Sequence, residues 1–250
     1  MSSPTPDLTS RPLHPPYFDM TRWLLLILCS AVFIARAAET EKDKSLPPMG
    51  GAWGVRPAAN ANPALPNVLL IGDSIANGYL EPVTKALAGK ANVEAWITPT
   101  SQGDKSLPGK IADICAAQKY AVIHFNLGLH GWQPGRIPEG QFEPLTHTLV
   151  QSLKKSAPQA VLIWATITPV SVKGEPEKLN PEIQPTIEQH NALATKVMKE
   201  EGVTINDLDA LLRPHLNLMA GDMFHWKPEA REMMARAVSE AIVKALSGSR

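Results

Sequence analysis

The sequence predicts an α/β fold: a central five-stranded parallel sheet covered by helices on both faces. Three observations carry that expectation. Five apolar, β-rich runs recur along the chain: "NVLLIG" (67–72), "NVEAWI" (92–97), "YAVIHFN" (120–126), "AVLIWATI" (160–167) and "VTIND" (203–207). Helical patterns fill the gaps, at 77–89, near 107–118, and at 139–156, 183–201 and 227–247. Continuous apolar strands separated by helices mark parallel strands buried on both sides. The 250 residues are also 44% hydrophobic and 19% charged, a globular composition in a chain long enough for one well-packed domain.

Taken in order, residues 1–19 hold five prolines and no periodicity. "MTRWLLLILCSAVFIARAAE" (20–39) follows, with Arg22, an apolar run from Trp23 to Ala35, and small residues around Ala35-Arg36-Ala37. That is the layout of a secretory signal peptide, and the run falls short of the ~20 residues a membrane-spanning helix needs. Nineteen residues precede Met20, so either translation starts there or the segment is an uncleaved anchor. Residues 39–66 are again rich in proline, and ten of the 23 prolines lie before residue 67. The expected organisation is an N-terminal extension and signal peptide (1–38), a Pro-rich linker (39–66) and the folded domain (67–250). The expected location is secreted or periplasmic, with membrane contact only through the signal segment if it stays uncleaved. The last four helical patterns begin near start signals such as Pro108, Pro138-Glu139, Pro181-Glu182 and Pro228-Glu229.

Charge and cysteine usage exclude several function classes. With 24 basic and 24 acidic side chains the formal net charge is +0, which offers no electrostatic attraction to nucleic acid. Cys29 and Cys115 cannot define a disulfide framework, and Cys115 reads as a small buried apolar residue. His124 reads as a packed strand residue, His147 and His190 lie on helical faces, and His215 is in a loop. No metal-ligand spacing emerges from them, so no metal and no cofactor is expected.

Chemistry enters where the first strand stops. In parallel α/β sheets the site lies at the carboxyl ends of the strands, and Ser74, "NLGLH" (126–130) and Thr168 all follow strands directly. A serine hydroxyl needs a base to take its proton, and the base needs a group to orient it. "GDMFHWKPEA" (221–230) supplies such a pair, Asp222 and His225, three residues apart and therefore within reach of one another in a single turn. Asp73 reads as a residue that shapes the turn. The arrangement is not the G-x-S-x-G elbow of α/β-hydrolases, because Ala76 stands where the last glycine would be.

"GDSI" (72–75) near the start of the domain and D-x-x-H (222–225) near its end resemble the first and last blocks of the GDSL, or SGNH, hydrolase superfamily of esterases and acylhydrolases. The resemblance spans roughly 67–247 and implies a flavodoxin-like three-layer α/β/α sandwich. It also implies a Ser74–His225–Asp222 triad with no cofactor. The oxyanion would be held by the Ser74 and Gly103 backbone N–H groups, the latter in "TPTSQGDKS" (98–106). The family's third block is normally G-x-N-D; here "GLHG" (128–131) puts His130 where asparagine is expected and Gly131 where aspartate is. His130 is the expected donor, with Asn126 as support or substitute. Trp132, Phe224 and Trp226 flank these loops, and Trp132 and Trp226 are candidate substrate contacts.

The function expected is an exported serine ester hydrolase that removes short acyl groups, acetyl above all, from a carbohydrate. The long polar stretch "TPVSVKGEPEKLNPEIQP" (168–185) is the one connection with room for a lid, and its polarity argues against a greasy lipase mouth. Two alternatives stand: a lysophospholipase or thioesterase, since the triad does not select the leaving group, and a non-catalytic carbohydrate-binding protein on the same fold, suggested by the altered third block.

Overall fold

Val68, Leu69, Leu70 and Ile71 are each at most 1% exposed, and they divide between two cores. Val68 and Leu70 face one hydrophobic cluster, Leu69 and Ile71 the other, as pleat alternation requires of a strand covered on both sides. Each such side chain contributes about 1.5–3 kcal/mol when fully buried. The computed structural model describes residues 53–248. The signal-peptide expectation for 1–38, and that for linker residues 39–52, lie outside the described residues.

The elements run β1 (Gly54–Arg56), β2 (Asn67–Gly72), α1 (Ser74–Ala86), β3 (Asn92–Ile97), α2 (Leu107–Ala116), β4 (Val122–Phe125), α3 (Phe142–Ser156), β5 (Val161–Ala165), β6 (Ser171–Val172), β7 (Glu175–Leu179), α4 (Gln184–Glu200), β8 (Thr204–Asn206), α5 (Leu208–Leu212) and α6 (Pro228–Gly248). The main sheet has the order β1-β3-β2-β4-β5-β8. All neighbours pair in parallel except β1 with β3. Among the five parallel strands the order is second, first, third, fourth, fifth, which is the flavodoxin-like arrangement with its switch point between β2 and β4. Val83 and Tyr79 of α1 and Met234, Val238 and Ile242 of α6 pack one face, while α2, α3 and the C-terminal half of α4 pack the other.

The sheet therefore has six strands, not five. The extra strand lies in the segment read as linker: Gly54, Val55 and Arg56 pair antiparallel with Ile97, Trp96 and Ala95. Three residues at a sheet edge, with Val55 54% exposed, leave no apolar run to read. Asn92 fastens the chain that follows, accepting from the Asn62 N–H (2.8 Å) and donating to the carbonyls of Asn62 (2.9 Å) and Leu65 (3.2 Å). Residues 53–66 are thus linker-like in composition but joined to the fold.

Two further differences bear on the site. The 168–185 stretch contains a two-stranded antiparallel hairpin, β6–β7. The chain after β8 coils into α5, capped by the Asp207 carboxylate on the Ala210 N–H (3.0 Å), and then into a 3₁₀ stretch, Arg213–Leu218. Among the described residues no helix is long and apolar enough to cross a membrane.

Candidate active site

The strand ends are level. The Asn126 N–H donates to the Ile71 carbonyl (2.9 Å) and the Thr98 N–H to the Gly72 carbonyl (2.8 Å), so the loops leaving β2, β3 and β4 depart from one line across the switch point. The turn out of β2 is tight because Gly72 has no side chain: a Cβ there would lie 2.5 Å from the Ala76 Cβ and 3.3 Å from the Asn126 carbonyl oxygen. Asp73 then caps α1, its Oδ1 accepting the Ile75 N–H at 2.8 Å, which starts the helix at Ser74 rather than at residue 77. Burial raises the Asp73 carboxyl pKa, outweighing charge on the His130 imidazole, the Ile75 N–H and charge on the His225 imidazole, all of which pull it down. Asp73 thus shapes the turn and lies close to both histidines.

The imidazole that meets Ser74 comes from the other end of the chain. His225 Nε2 lies 2.9 Å from Ser74 Oγ, and His225 Nδ1 lies 2.5 Å from Asp222 Oδ2. The other carboxylate oxygen, Oδ1, accepts the backbone N–H groups of Phe224 (3.1 Å) and His225 (2.9 Å). Burial pushes the Asp222 pKa up, but the His225 N–H, the His225 ring and the Phe224 N–H outweigh it and hold the carboxyl below its usual value. With Nδ1–H donated to an ionised Asp222, Nε2 presents its lone pair to the Ser74 hydroxyl. The turn needs unusual backbone: Gly221 has φ 92° and Met223 φ 93°. A non-glycine residue there costs about 1–3 kcal/mol.

The other expected residues are placed as follows. Gly103 sits in the loop after β3, where a Cβ would come within 1.9 Å of the Arg136 carbonyl oxygen, so that loop has no room for a side chain. Asn126 Nδ2 donates to the Ala165 carbonyl (2.8 Å) and its Oδ1 accepts the Gly128 N–H (2.9 Å), so the side chain ties the β4 exit to β5 and shapes the turn toward His130. His130 lies in a short 3₁₀ turn, Leu129–Gly131. Trp132 is partly buried and stacks on Phe224 (ring centroids 6.2 Å, 28°), joining the 128–132 loop to the turn that carries Asp222 and His225. Trp226 must be withdrawn as a substrate contact. It is 1% exposed and belongs to the core, because the bridge between Met219 and Trp226 turns it inward.

Trp53 was not anticipated. It stands just before β1 and meets the His130 ring edge-on, with centroids 5.8 Å apart. Its only signal in the sequence is a tryptophan within a Gly- and Pro-rich stretch. His124 is fully buried, as expected of a packed strand residue, and burial lowers its pKa to about 4. Cys115 is buried, and burial pushes its thiol pKa up to about 11. Ligand atoms of Glu143, His147 and Glu200 lie within 4.8 Å of one another on α3 and α4. His147 already pairs with Glu200 (3.2 Å) and Lys196 with Glu143 (2.6 Å), which accounts for the group as an ion-pair network.

Chemically, the arrangement can move a proton from Ser74 Oγ to His225 Nε2 while Asp222 stabilises the imidazolium that forms. No protein-family model and no curated protein matches the sequence. Solved structures do match in fold. One is an acetyl xylan esterase from Geobacillus stearothermophilus, with TM-score 0.57 and 18% identity, covering 71% of this chain and 94% of that one. A carbohydrate esterase family 3 protein from Talaromyces cellulolyticus matches with TM-score 0.59 and 15% identity, over 73% and 99% of the two chains. A carbohydrate acetylesterase from Sinorhizobium meliloti matches with TM-score 0.58 and 11% identity, over 72% and 99%. The chain has the fold that these esterases have.

Proposed function

We propose that the chain is a serine ester hydrolase that removes short acyl groups, acetyl above all, from a carbohydrate. The observation that carries this reading is the continuous relay Ser74 Oγ–His225 Nε2 (2.9 Å) and His225 Nδ1–Asp222 Oδ2 (2.5 Å), set at the switch point of the sheet. Ser74 Oγ attacks the ester carbonyl as His225 takes its proton. The tetrahedral oxyanion is held by the Ser74 and Gly103 N–H groups and by His130. Asn126 is the weaker candidate for that role, since both ends of its amide already bond backbone. His225 then protonates the leaving alcohol, and water repeats the sequence on the acyl-enzyme.

The carbohydrate and acetyl assignments draw on the names of the proteins that share the fold, and on the partly exposed Trp132–Phe224 pair beside His225, which offers an aromatic face for a sugar ring. Export is proposed from the 20–39 pattern alone, and sequencing the N-terminus of the protein recovered from its source tests it. For the reaction, a fluorophosphonate probe is expected to label the wild type at Ser74. Ser74→Ala is expected to lose labelling and to hydrolyse p-nitrophenyl acetate at least about 10³-fold more slowly with its melting transition kept. Acetylated xylo-oligosaccharides are expected to turn over faster than esters of long acyl chains. Wild-type protein that is not labelled, or a Ser74→Ala variant that stays active, would overturn the assignment.

A further inference from the structure

The hairpin β6–β7 sends two backbone donors out of itself and onto the catalytic turn. The Ser171 N–H donates to the Met223 carbonyl at 3.0 Å, and the Gly174 N–H donates to the Gly221 carbonyl at 2.9 Å. The two acceptors flank Asp222. They are also the two residues of that turn whose backbone is left-handed. Met223 is the costlier of the pair, because its Cβ crowds the following carbonyl in that conformation. The hairpin can resist the strain because its root is fixed. Val170 and Ser171 are fully buried, the Val170 N–H donates to Gln184 Oε1 of α4 (2.9 Å), and the Asn180 N–H donates back to the Val170 carbonyl (2.9 Å). Rigid support therefore runs from α4 through the hairpin to the carbonyls on either side of the carboxylate. The hairpin tip is exposed, so this polar stretch, which the sequence alone suggests as a lid, carries a different task.

We propose that the β6–β7 hairpin is a brace that positions Asp222 and His225 against Ser74 by holding Gly221 and Met223 in their left-handed conformations. It touches no reacting atom; Ser171 and Gly174 are positioning residues that act through the catalytic turn. The inference rests on the triad reading above.

The test uses the full chain in two variants. One replaces Ser171–Leu179 by a short Gly/Ser link, and the other is Gly174→Pro, which removes one of the two N–H donors and, because Gly174 has φ 81° and proline is locked at about −65°, also opens the hairpin turn. Retention of the thermal transition confirms folding, and if the shortened chain does not fold, Gly174→Pro alone decides. The rate of fluorophosphonate labelling at Ser74 and kcat on p-nitrophenyl acetate are expected to fall together by about 10- to 100-fold. KM should stay within about twofold, the pattern of a lost transition-state interaction. The far-downfield proton resonance of His225 Nδ1–H should weaken in parallel. Adding Met223→Gly to the shortened chain should restore part of the labelling rate, because glycine adopts that backbone unaided. A folded variant that labels at the wild-type rate, or a loss that Met223→Gly leaves untouched, would overturn the brace. Failure of the wild type itself to label would instead overturn the triad reading, so the two are separable.

Discussion

The two sides of the site are built by opposite means. Ser74 stands on a buried strand whose side chains fill two cores, behind a glycine that leaves no spare volume and a carboxylate that caps the helix. His225 and Asp222 stand on a half-exposed turn with two left-handed residues, held by hydrogen bonds from a second surface segment. Ser74 is thus placed by close packing of strand and helix against the domain core, and His225 by contacts of its turn that reach about 50 residues back to the hairpin. Packing is cooperative and hard to perturb from outside, whereas a hydrogen-bonded surface turn can be loosened without unfolding the domain. Changes to the packing beneath Ser74 should register first as lost stability, and changes to the turn that carries Asp222 and His225 first as lost rate.

The largest effect on this comparison is expected at the Asp222–His225 turn. Asp222→Asn keeps the shape of the turn but removes the charge that fixes the Nδ1–H tautomer of His225, and kcat on p-nitrophenyl acetate should drop by about 10³- to 10⁴-fold. Its thermal transition should move by no more than a few degrees, which differential scanning calorimetry would show. A drop below tenfold would mean that the carboxylate does not orient the base.

A pair of matched glycine substitutions separates packing from backbone. Gly72→Ala forces a Cβ into a space already held by the Ala76 Cβ at 2.5 Å, and should cost about 1–3 kcal/mol in urea unfolding. Gly221→Ala meets nothing within 4 Å, but must sustain φ 92°, and should cost about 1–2 kcal/mol through the dihedral alone. Because Gly221 adjoins Asp222, its substitution should also lower kcat. Equal kinetics for the two variants would erase the contrast between the two sides.

Acid should weaken the sides in sequence. His124, against Tyr79 on the Ser74 side, has its pKa lowered by burial to about 4, from an ordinary value near 6.5. Its Nε2 accepts from Asn206 Nδ2 (3.2 Å), a bond that protonation would replace with opposed hydrogens. Between about pH 6.5 and 4 the unfolded chain binds a proton that the native chain refuses, so stability falls as pH drops, by up to about 1.4 kcal/mol per pH unit. His190, stacked on Phe142 at 3.8 Å and likewise lowered to about 4 by burial, adds to the slope. Asp222 acts lower. Its native pKa lies below 3.8, so its contribution is complete above that value and disappears only as pH falls through the native one. Urea titrations at several pH values should show the first loss well above pH 4, and His124→Gln should flatten that slope whatever it does to absolute stability.

The parallel strands were legible because each is an apolar run long enough to bury both faces, and α2, α3, α4 and α6 because proline stands at or near their starts. Ser74, Asp222 and His225 stood out because "GDSI" and D-x-x-H together resemble the first and last blocks of one hydrolase superfamily, whereas each pattern alone also suits a turn or a helix cap. β1 was not, since three edge residues bury too little to leave a pattern, and the 168–185 stretch looked like a loop because its hairpin bonds through backbone groups that any side chain permits. Trp226 looked like a surface aromatic beside the site, yet a single strand-like bridge turns it into the core.

By itself, then, the sequence determined what hydrophobic periodicity and residue chemistry encode locally: the order of the elements, the covered sheet, and the three groups capable of a proton relay. Only the tertiary structure decided how those groups meet. The 2.9 Å approach across 151 residues, the binding of Asn126 into the frame, the contact of Trp53 with His130 and the bracing of the Asp222 turn all depend on backbone directions and long-range proximity. Those are properties of the packed chain, which no local pattern of side chains records.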